Sequence, residues 1–294
     1  MSRGGEGMAG EAAAEPGRRD FQFRPRDFKR VQSLIYAHAG ISIADTKEEM
    51  VYSRLSRRLR ATELPTFEDY LSYLEAEGNG DEWEHFTNAL TTNLTSFFRE
   101  SHHFPMLVQH LAGLSRERPL RIWTCAASTG EEPYSIAMAV AEAFETLSPP
   151  VQILATDIDT KVLATAAAGV YDAKRVADLP TGHVRRFFQR GSGANAGQVR
   201  IKPELAALVR FRPLNLLTSE WRTLKPFDAI FCRNVMIYFD KPTQYTVLRK
   251  LTDLMEPDAL FFAGHSESLL FASDLVRLRS HTVYERASAD RRTA

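Results

Sequence analysis

The chain is poor in cysteine, in net charge and in long apolar runs, and each shortage closes a class of readings. Cys125 and Cys232 are the only cysteines among 294 residues, and neither has a CxxC or a Cys/His cluster beside it. No disulfide framework, zinc site or other metal is indicated, and both thiols are read as reduced. The 37 Lys plus Arg balance 37 Asp plus Glu, which argues against a general polyanion binder and hence against a nucleic-acid partner. No uninterrupted apolar stretch nears the roughly 18 residues of a membrane span. The opening MSRGGEGMAGEAAAEPGRRD carries Glu6, Glu11 and Glu15 where a signal peptide is apolar, so a cytoplasmic protein without membrane insertion is expected. At roughly 100 to 200 residues per domain the length suggests two domains.

Residues 1–20 are Gly, Ala, Glu and Arg without apolar periodicity, and disorder is expected there. From 21 to 90 the pattern is helical: Pro25 suits a first turn, Phe28, Val31, Leu34 and Ile35 make one face, and Gly40 suits a C-terminal stop. Asp45 with Glu48, and Thr66 with Asp69, read as capping boxes. This predicts an all-helical domain over 21–90 and a connecting stretch over 91–119. From Arg121 short apolar runs alternate with longer helical patterns, which predicts an α/β domain with a parallel sheet over 120–288. Strands are expected at 121–126, 151–157, around 209–212, then ending at Cys232 and at Gly264, and near the C-terminus; helices fit 134–146, 161–168 and 243–255. The Gly- and Arg-rich stretch from Val184 to Ile201 breaks the alternation and reads as a hairpin insertion over about 180–205.

The first βα turn is Ala126-Ala127-Ser128-Thr129-Gly130-Glu131-Glu132-Pro133. One glycine and no lysine fit neither a dinucleotide fingerprint nor a P-loop, which opposes a nicotinamide oxidoreductase. Two glutamates at a helix N-terminus would repel an anionic ligand and welcome a cationic amino group, although they also suit simple capping. Asp157 ends the second strand, where nucleoside-binding α/β folds place an acid for ribose hydroxyls; Asp157 and Asp159 equally suit an N-cap before Lys161. A cationic-ligand turn followed by a ribose acid suggests an adenosyl ligand with an amino-acid tail, a description that S-adenosylmethionine meets. Gly264-His265-Ser266-Glu267-Ser268 falls one residue short of G-x-S-x-G and reads as a decoy, as do the adjacent His102 and His103.

The runs TNLTSFFRE (92–100), STGEEPYS (128–135), ATDID (155–159), FCRNVMIYFD (231–240) and GHSES (264–268) together resemble the chemotaxis receptor methyltransferase family, CheR, over roughly residues 21–285. The resemblance implies an all-α N-terminal domain before an α/β, class I (Rossmann-like) methyltransferase domain with sheet order 3-2-1-4-5-7-6 and a small antiparallel β-subdomain insertion. It implies S-adenosylmethionine as cofactor, S-adenosylhomocysteine as product, and methylation of glutamate side chains on methyl-accepting chemotaxis receptors. A catalytically idle receptor-binding sensor of the same fold is the alternative.

Carried over by motif, the resemblance puts Asn93, Thr95, Arg99 and Glu132 at the methionine end, Asp157 at the ribose and Asn215 and Leu216 at the adenine. Cys232, Arg233 and Asn234 would line the pocket edge, and Arg99 and Tyr238 would orient the reactants. Read as residues alone, Asn215 also suits a turn, and Leu216 and Cys232 suit a core. On the helix after Asp45, Lys47, Arg54, Arg57 and Arg58 share a face with Arg60 at its edge, which suits either a solvated stripe or a carboxylate-bearing partner. The resemblance makes Arg54, Arg57 and Arg60 the receptor dock. Arg190, Gly191, Gly193, Gly197 and Arg200 read by pattern as a mobile loop tip. The resemblance makes them the subdomain of pentapeptide-dependent members, which add a receptor's C-terminal pentapeptide as a strand. A monomer recruited to membrane receptor arrays is the implied arrangement.

Overall fold

Pro25 and Gly40 bound the first helix as the sequence predicts: α1 (Pro25–Ala39) carries Pro25 in its first turn and ends on Gly40 at φ +69°. The computed structural model describes residues 19–76, 80–115, 117–218 and 220–287. The expected disorder over 1–20 thus lies, up to residue 18, outside the described residues, while Arg19 pairs with Glu49 and Asp20 with Arg60. After α1 come α2 (Glu48–Thr62), α3 (Phe67–Glu75) and α4 (Gly80–Leu90). Thr66 caps α3, its hydroxyl accepting from the Asp69 amide at 3.1 Å. Asp45 does not cap α2, because a 3-10 turn over Asp45–Lys47 intervenes and its carboxylate accepts instead from Lys29 (2.7 Å) and Gln32 (3.0 Å). Val31, Ile35, Val51, Leu55, Tyr70 and Phe86 form the domain's core. Each such buried apolar side chain contributes about 1.5–3 kcal/mol.

The connecting stretch holds a helix that sequence reading passed over, α5 (His103–Ala112), whose Phe104, Leu107 and Leu111 pack into the sheet domain. Pro105 falls in its first turn, where a missing amide costs little. Then follow β1 (Leu120–Thr124), α6 (Glu131–Ala143), β2 (Val151–Asp157), α7 (Thr160–Ala168), β3 (Val170–Asp172), α8 (Thr181–Phe187), β4 (Phe188–Arg190) and β5 (Gln198–Ile201). The chain continues through α9 (Pro203–Ala206), β6 (Val209–Pro213), β7 (Phe227–Cys232), α10 (Lys241–Asp253), β8 (Met255–Ala263), β9 (Val276–Ser280) and β10 (Val283–Arg286).

The large sheet has the order β6-β2-β1-β7-β8-β10-β9, which is 3-2-1-4-5-7-6 when only its own strands are numbered. The β1 strand pairs in parallel with both β2 and β7, so successive crossovers leave in opposite directions and a crevice opens at their C-terminal ends. The insertion starts earlier than about 180: β3 pairs antiparallel with β5, and β4 flanks β5 on its other side. Gly169, at φ +61°, turns the chain from α7 into β3, and three residues are too few to show a strand period. The edge strand β9 has a place in the sheet order that the resemblance implies but no hydropathy signal of its own; among the described residues it pairs with β10 alone, and it is largely exposed.

Candidate functional site

Four stretches of chain converge on the crevice: the α4–α5 connection, the β1–α6 turn, the end of β2 and the loop leaving β7. With residues 214–216 after β6 they enclose about 1020 Å³ of empty space, open mouth included. Asn93, Thr95, Arg99, Glu132, Asp157, Asn215, Leu216, Arg233, Asn234 and Tyr238 all line it. Cys232 does not, which corrects the expectation of a pocket-edge side chain. β7 is a central strand covered on both faces, and its last side chain stays fully buried in the core. A hydrogen bond with Cys125, together with burial, pushes the Cys232 thiol up, so it is an inert core group. Cys125 lines the cleft in its place, as do Ala39 and Ile41 from the end of α1.

The acids after β2 divide the roles that spacing left open. Asp159 caps α7, its Oδ1 accepting from the amides of Lys161 (3.0 Å) and Val162 (3.2 Å), while Oδ2 accepts from Thr91 Oγ1 (2.9 Å) and Asn93 Nδ2 (2.8 Å). Asp157 faces the cleft and accepts from the amides of Ser128 (2.8 Å) and Asp159 (3.0 Å). Burial, helped by the neighbouring Asp159 charge, outweighs those donors and pushes Asp157 up to about 6. Asn215 is both a turn residue and a strut: its Oδ1 accepts from the Leu217 amide (2.9 Å) and its Nδ2 donates to the His38 carbonyl (2.8 Å).

In the β1–α6 turn Gly130 has φ +97°, and a Cβ there would stand 2.7 Å from Tyr171 Oη. The two glutamates separate. Glu131 is buried against Arg175 of the inserted subdomain. Glu132 enters the cleft, accepting from Thr124 Oγ1 (2.5 Å) and Arg233 Nη1 (2.8 Å). Arg233, itself buried, donates through Nη2 to the Arg99 carbonyl (2.5 Å) and pairs with Glu100 at 3.2 Å. Glu100 is held below the ordinary carboxylate range: burial opposes this, but the His265 amide, Arg233 and Asn234 together outweigh it. The Arg99 guanidinium donates to the Leu94 carbonyl at 2.9 Å, and Tyr238 Oη reaches the Thr92 carbonyl at 3.4 Å.

The segment dismissed as an esterase decoy supplies a positioning residue. Buried Glu267 accepts from the backbone amides of Gly264 (2.6 Å), Asn234 (2.8 Å) and Ile237 (3.3 Å), and so pins the cleft loop in which Asn234 adopts φ +57°. Gly264 must lack a side chain, since its Cβ would lie 2.8 Å from the Asn234 nitrogen. The signal available in sequence was a glycine at a strand end with an acid three residues on. Glu267→Ala strands three amide donors, that of Gly264 fully buried and those of Asn234 and Ile237 partly so. It is expected to weaken S-adenosylhomocysteine binding at least tenfold in calorimetry; unchanged affinity would deny Glu267 this positioning role.

The basic stripe on α2 is only partly free. Arg54 Nη1 donates to the carbonyls of Ala89 (3.4 Å), Leu90 (3.2 Å) and Thr91 (2.7 Å), closing the C-terminus of α4. Arg60 pairs with Asp20 on the surface, and Arg57 is exposed. In the inserted subdomain Arg190, Gly191 and Gly197 border a second groove with Val176 and Leu179, whereas Gly193 and Arg200 lie outside it. Gly193 (φ +57°) and Gly197 (φ +85°) shape the tip, and Arg200 sits in the middle strand β5. Among the described residues no group of three or more His, Cys, Asp or Glu could hold a metal, and no helix is long and apolar enough to cross a membrane.

Sheet order, switch-point crevice and the acid at the end of β2 define a class I methyltransferase, and the cleft residues fit S-adenosylmethionine. Asp157 presents a buried carboxylate to the cleft, and Glu132 offers negative charge with acceptor sites to spare. Residues 93–284 match the family model described as CheR methyltransferase, SAM binding domain, and residues 26–91 match CheR methyltransferase, all-alpha domain. The chain belongs to the CheR methyltransferase family. It is 52% identical over 272 residues to Chemotaxis protein methyltransferase 2 of Pseudomonas aeruginosa, spanning 92% of this chain and 96% of that one. It is 50% identical over 257 residues to the Chemotaxis protein methyltransferase of Escherichia coli, spanning 87% and 89% of the two chains.

Proposed function

We propose that the protein methylates glutamate side chains of methyl-accepting chemotaxis receptors, yielding glutamate 5-O-methyl esters and S-adenosylhomocysteine. The observation that carries this reading is a single cleft in which Asp157, Glu132, Arg99 and Tyr238 converge. The bound cofactor supplies a methyl group on a sulfonium. Asp157 would accept from the ribose hydroxyls, Glu132 with the Asn93–Thr95 segment would hold the amino-acid end, and Asn215 with Leu216 would border the adenine. Arg233 and Asn234 fix the wall opposite. A glutamate with a pKa of about 4.3 is ionised at neutral pH, so no general base is needed. Arg99 and Tyr238 orient cofactor and carboxylate as guanidinium and phenol donors; alignment and exclusion of water lower the barrier.

Arg57 and Arg60 meet the acidic receptor bundle, while Arg54 holds α4 beneath them. The receptor's C-terminal pentapeptide adds as a strand to a free edge of the β3-β5-β4 sheet, near Arg190, Gly191 and Gly197. The protein works as a monomer brought to receptor arrays by these contacts. The test is alkali-labile volatile methanol from a receptor cytoplasmic fragment incubated with the protein and methyl-labelled cofactor, with and without the pentapeptide. Labile counts that fall several-fold without the tail are expected. No counts from a protein that binds S-adenosylhomocysteine would overturn the substrate assignment, and equal counts without the tail would overturn the tether.

A further inference from the structure

Leu94, Ile237, Leu270 and Phe271 are exposed to 79%, 51%, 71% and 38% of their surface, which singly is ordinary and becomes informative only where such side chains share a face. They are not scattered. Leu94 lines the cleft and is open to solvent, so it stands at the mouth, two residues from the Thr92 carbonyl that Tyr238 reaches. Ile237 immediately precedes Tyr238. Glu267, three residues before Leu270, accepts from the Ile237 amide at 3.3 Å, and Lys241 Nζ lies 4.3 Å from the centre of the Phe271 ring, so two contacts tie the segment 237–241 to the segment 267–271. Tyr238 therefore follows one exposed apolar residue in the chain and reaches the segment that carries another.

Clustered apolar surface around a polar site marks an interaction face. Its occupant follows from the reaction, because a glutamate side chain is short and cannot reach Tyr238 unless the backbone that carries it lies against this rim. We propose that Leu94, Ile237, Leu270 and Phe271 form the docking rim for the receptor helix that presents the target glutamate, covered during turnover by apolar side chains flanking it. The inference rests on the receptor reading above and deepens it: the arginines of α2 supply a charged contact, and the rim supplies an apolar one beside the reacting carboxylate. Such a contact reads the neighbours of the glutamate and thus bears on which glutamates are chosen.

The double variant Ile237→Ser/Leu270→Ser tests it, since both side chains already face water and neither lines the cleft. The expected result is a KM for the receptor fragment raised at least tenfold, the partial loss of two aliphatic side chains that the receptor helix covers. kcat and the S-adenosylhomocysteine Kd should stay within about twofold. The effect should persist at about 1 M salt, where the screening length is about 3 Å, whereas the penalty of Arg57→Glu should shrink. An unchanged KM with an active parent protein overturns the rim alone. A matching loss of S-adenosylhomocysteine affinity would make the rim part of the cofactor site, and binding of the parent but not the variant to phosphatidylglycerol vesicles would assign it to lipid; either overturns the proposal. A parent that binds S-adenosylhomocysteine but never methylates the fragment removes the receptor reading and this inference together.

Discussion

Asp157→Ala is expected to weaken S-adenosylhomocysteine binding about 100-fold in calorimetry. Two hydrogen bonds from ribose hydroxyls to a carboxylate are worth about 1.5–3 kcal/mol each, and the substitution also strands the buried amides of Ser128 and Asp159. The carboxylate carries a pH signature that separates this from general damage. Burial raises Asp157 from 3.8 to about 6, so the empty protein holds its proton more tightly than the unfolded chain does. Its contribution to stability is therefore fully present below about 4 and lost as pH rises through about 6. Two ligand hydroxyls donate more strongly to the ionised carboxylate, both of whose oxygens then accept, so binding favours loss of the proton. Affinity should fall as pH drops below about 6 and level off above it, and the melting-temperature gain from S-adenosylhomocysteine should be larger at pH 8 than at pH 5. Asp157→Asn should flatten both trends. Equal affinity of the parent at pH 5 and pH 8 would discard the ribose assignment.

Asp157 was legible because it ends an apolar run before a helix, a place where one chain direction and one strand end dictate what a side chain faces. Its division of labour with Asp159 was not: residues two apart at a strand exit share a turn, and only the approach of Thr91 and Asn93 decides which of them caps α7. The α/β alternation and the helical first domain followed from periodicity, while the sheet order came from the family motifs. Short elements escaped, β3 for want of length and β9 because an edge strand has little buried face. Ala39 and Ile41 carried no signal at all. They reach the cleft through tertiary ties alone: Asn215 to the His38 carbonyl, Tyr36 Oη to Asp240 at 2.7 Å, the Ser42 amide to the Tyr238 carbonyl at 2.8 Å, and Gly40, whose Cβ would meet Leu217 at 2.9 Å. Charge spacing on α2 likewise found a basic face but could not foresee that Arg54 reaches back to the end of α4.

Arg233→Met should be the most damaging single change in the site. Arg233 lies buried between Glu132 at 2.8 Å and Glu100 at 3.2 Å, and removing it leaves two carboxylates beneath the cleft without their cation. Breaking a buried pair in this way costs about 3–5 kcal/mol, a large share of the total stability of a domain, and urea unfolding should show it as a lowered midpoint. The same physics predicts a rescue. Arg233→Met combined with Glu132→Gln and Glu100→Gln removes all three charges, so most of the lost stability should return. Methyl transfer should not return with it. Glu132 then offers no charge to the cofactor's amino group, and the Arg99 carbonyl has lost the donor that fixes the turn carrying that arginine. A triple variant as unstable as the single one would show that Arg233 acts through packing and not through its charge. A triple variant that is both stable and active would remove Glu132 from cofactor recognition and leave the ammonium to the backbone of the Asn93–Thr95 segment.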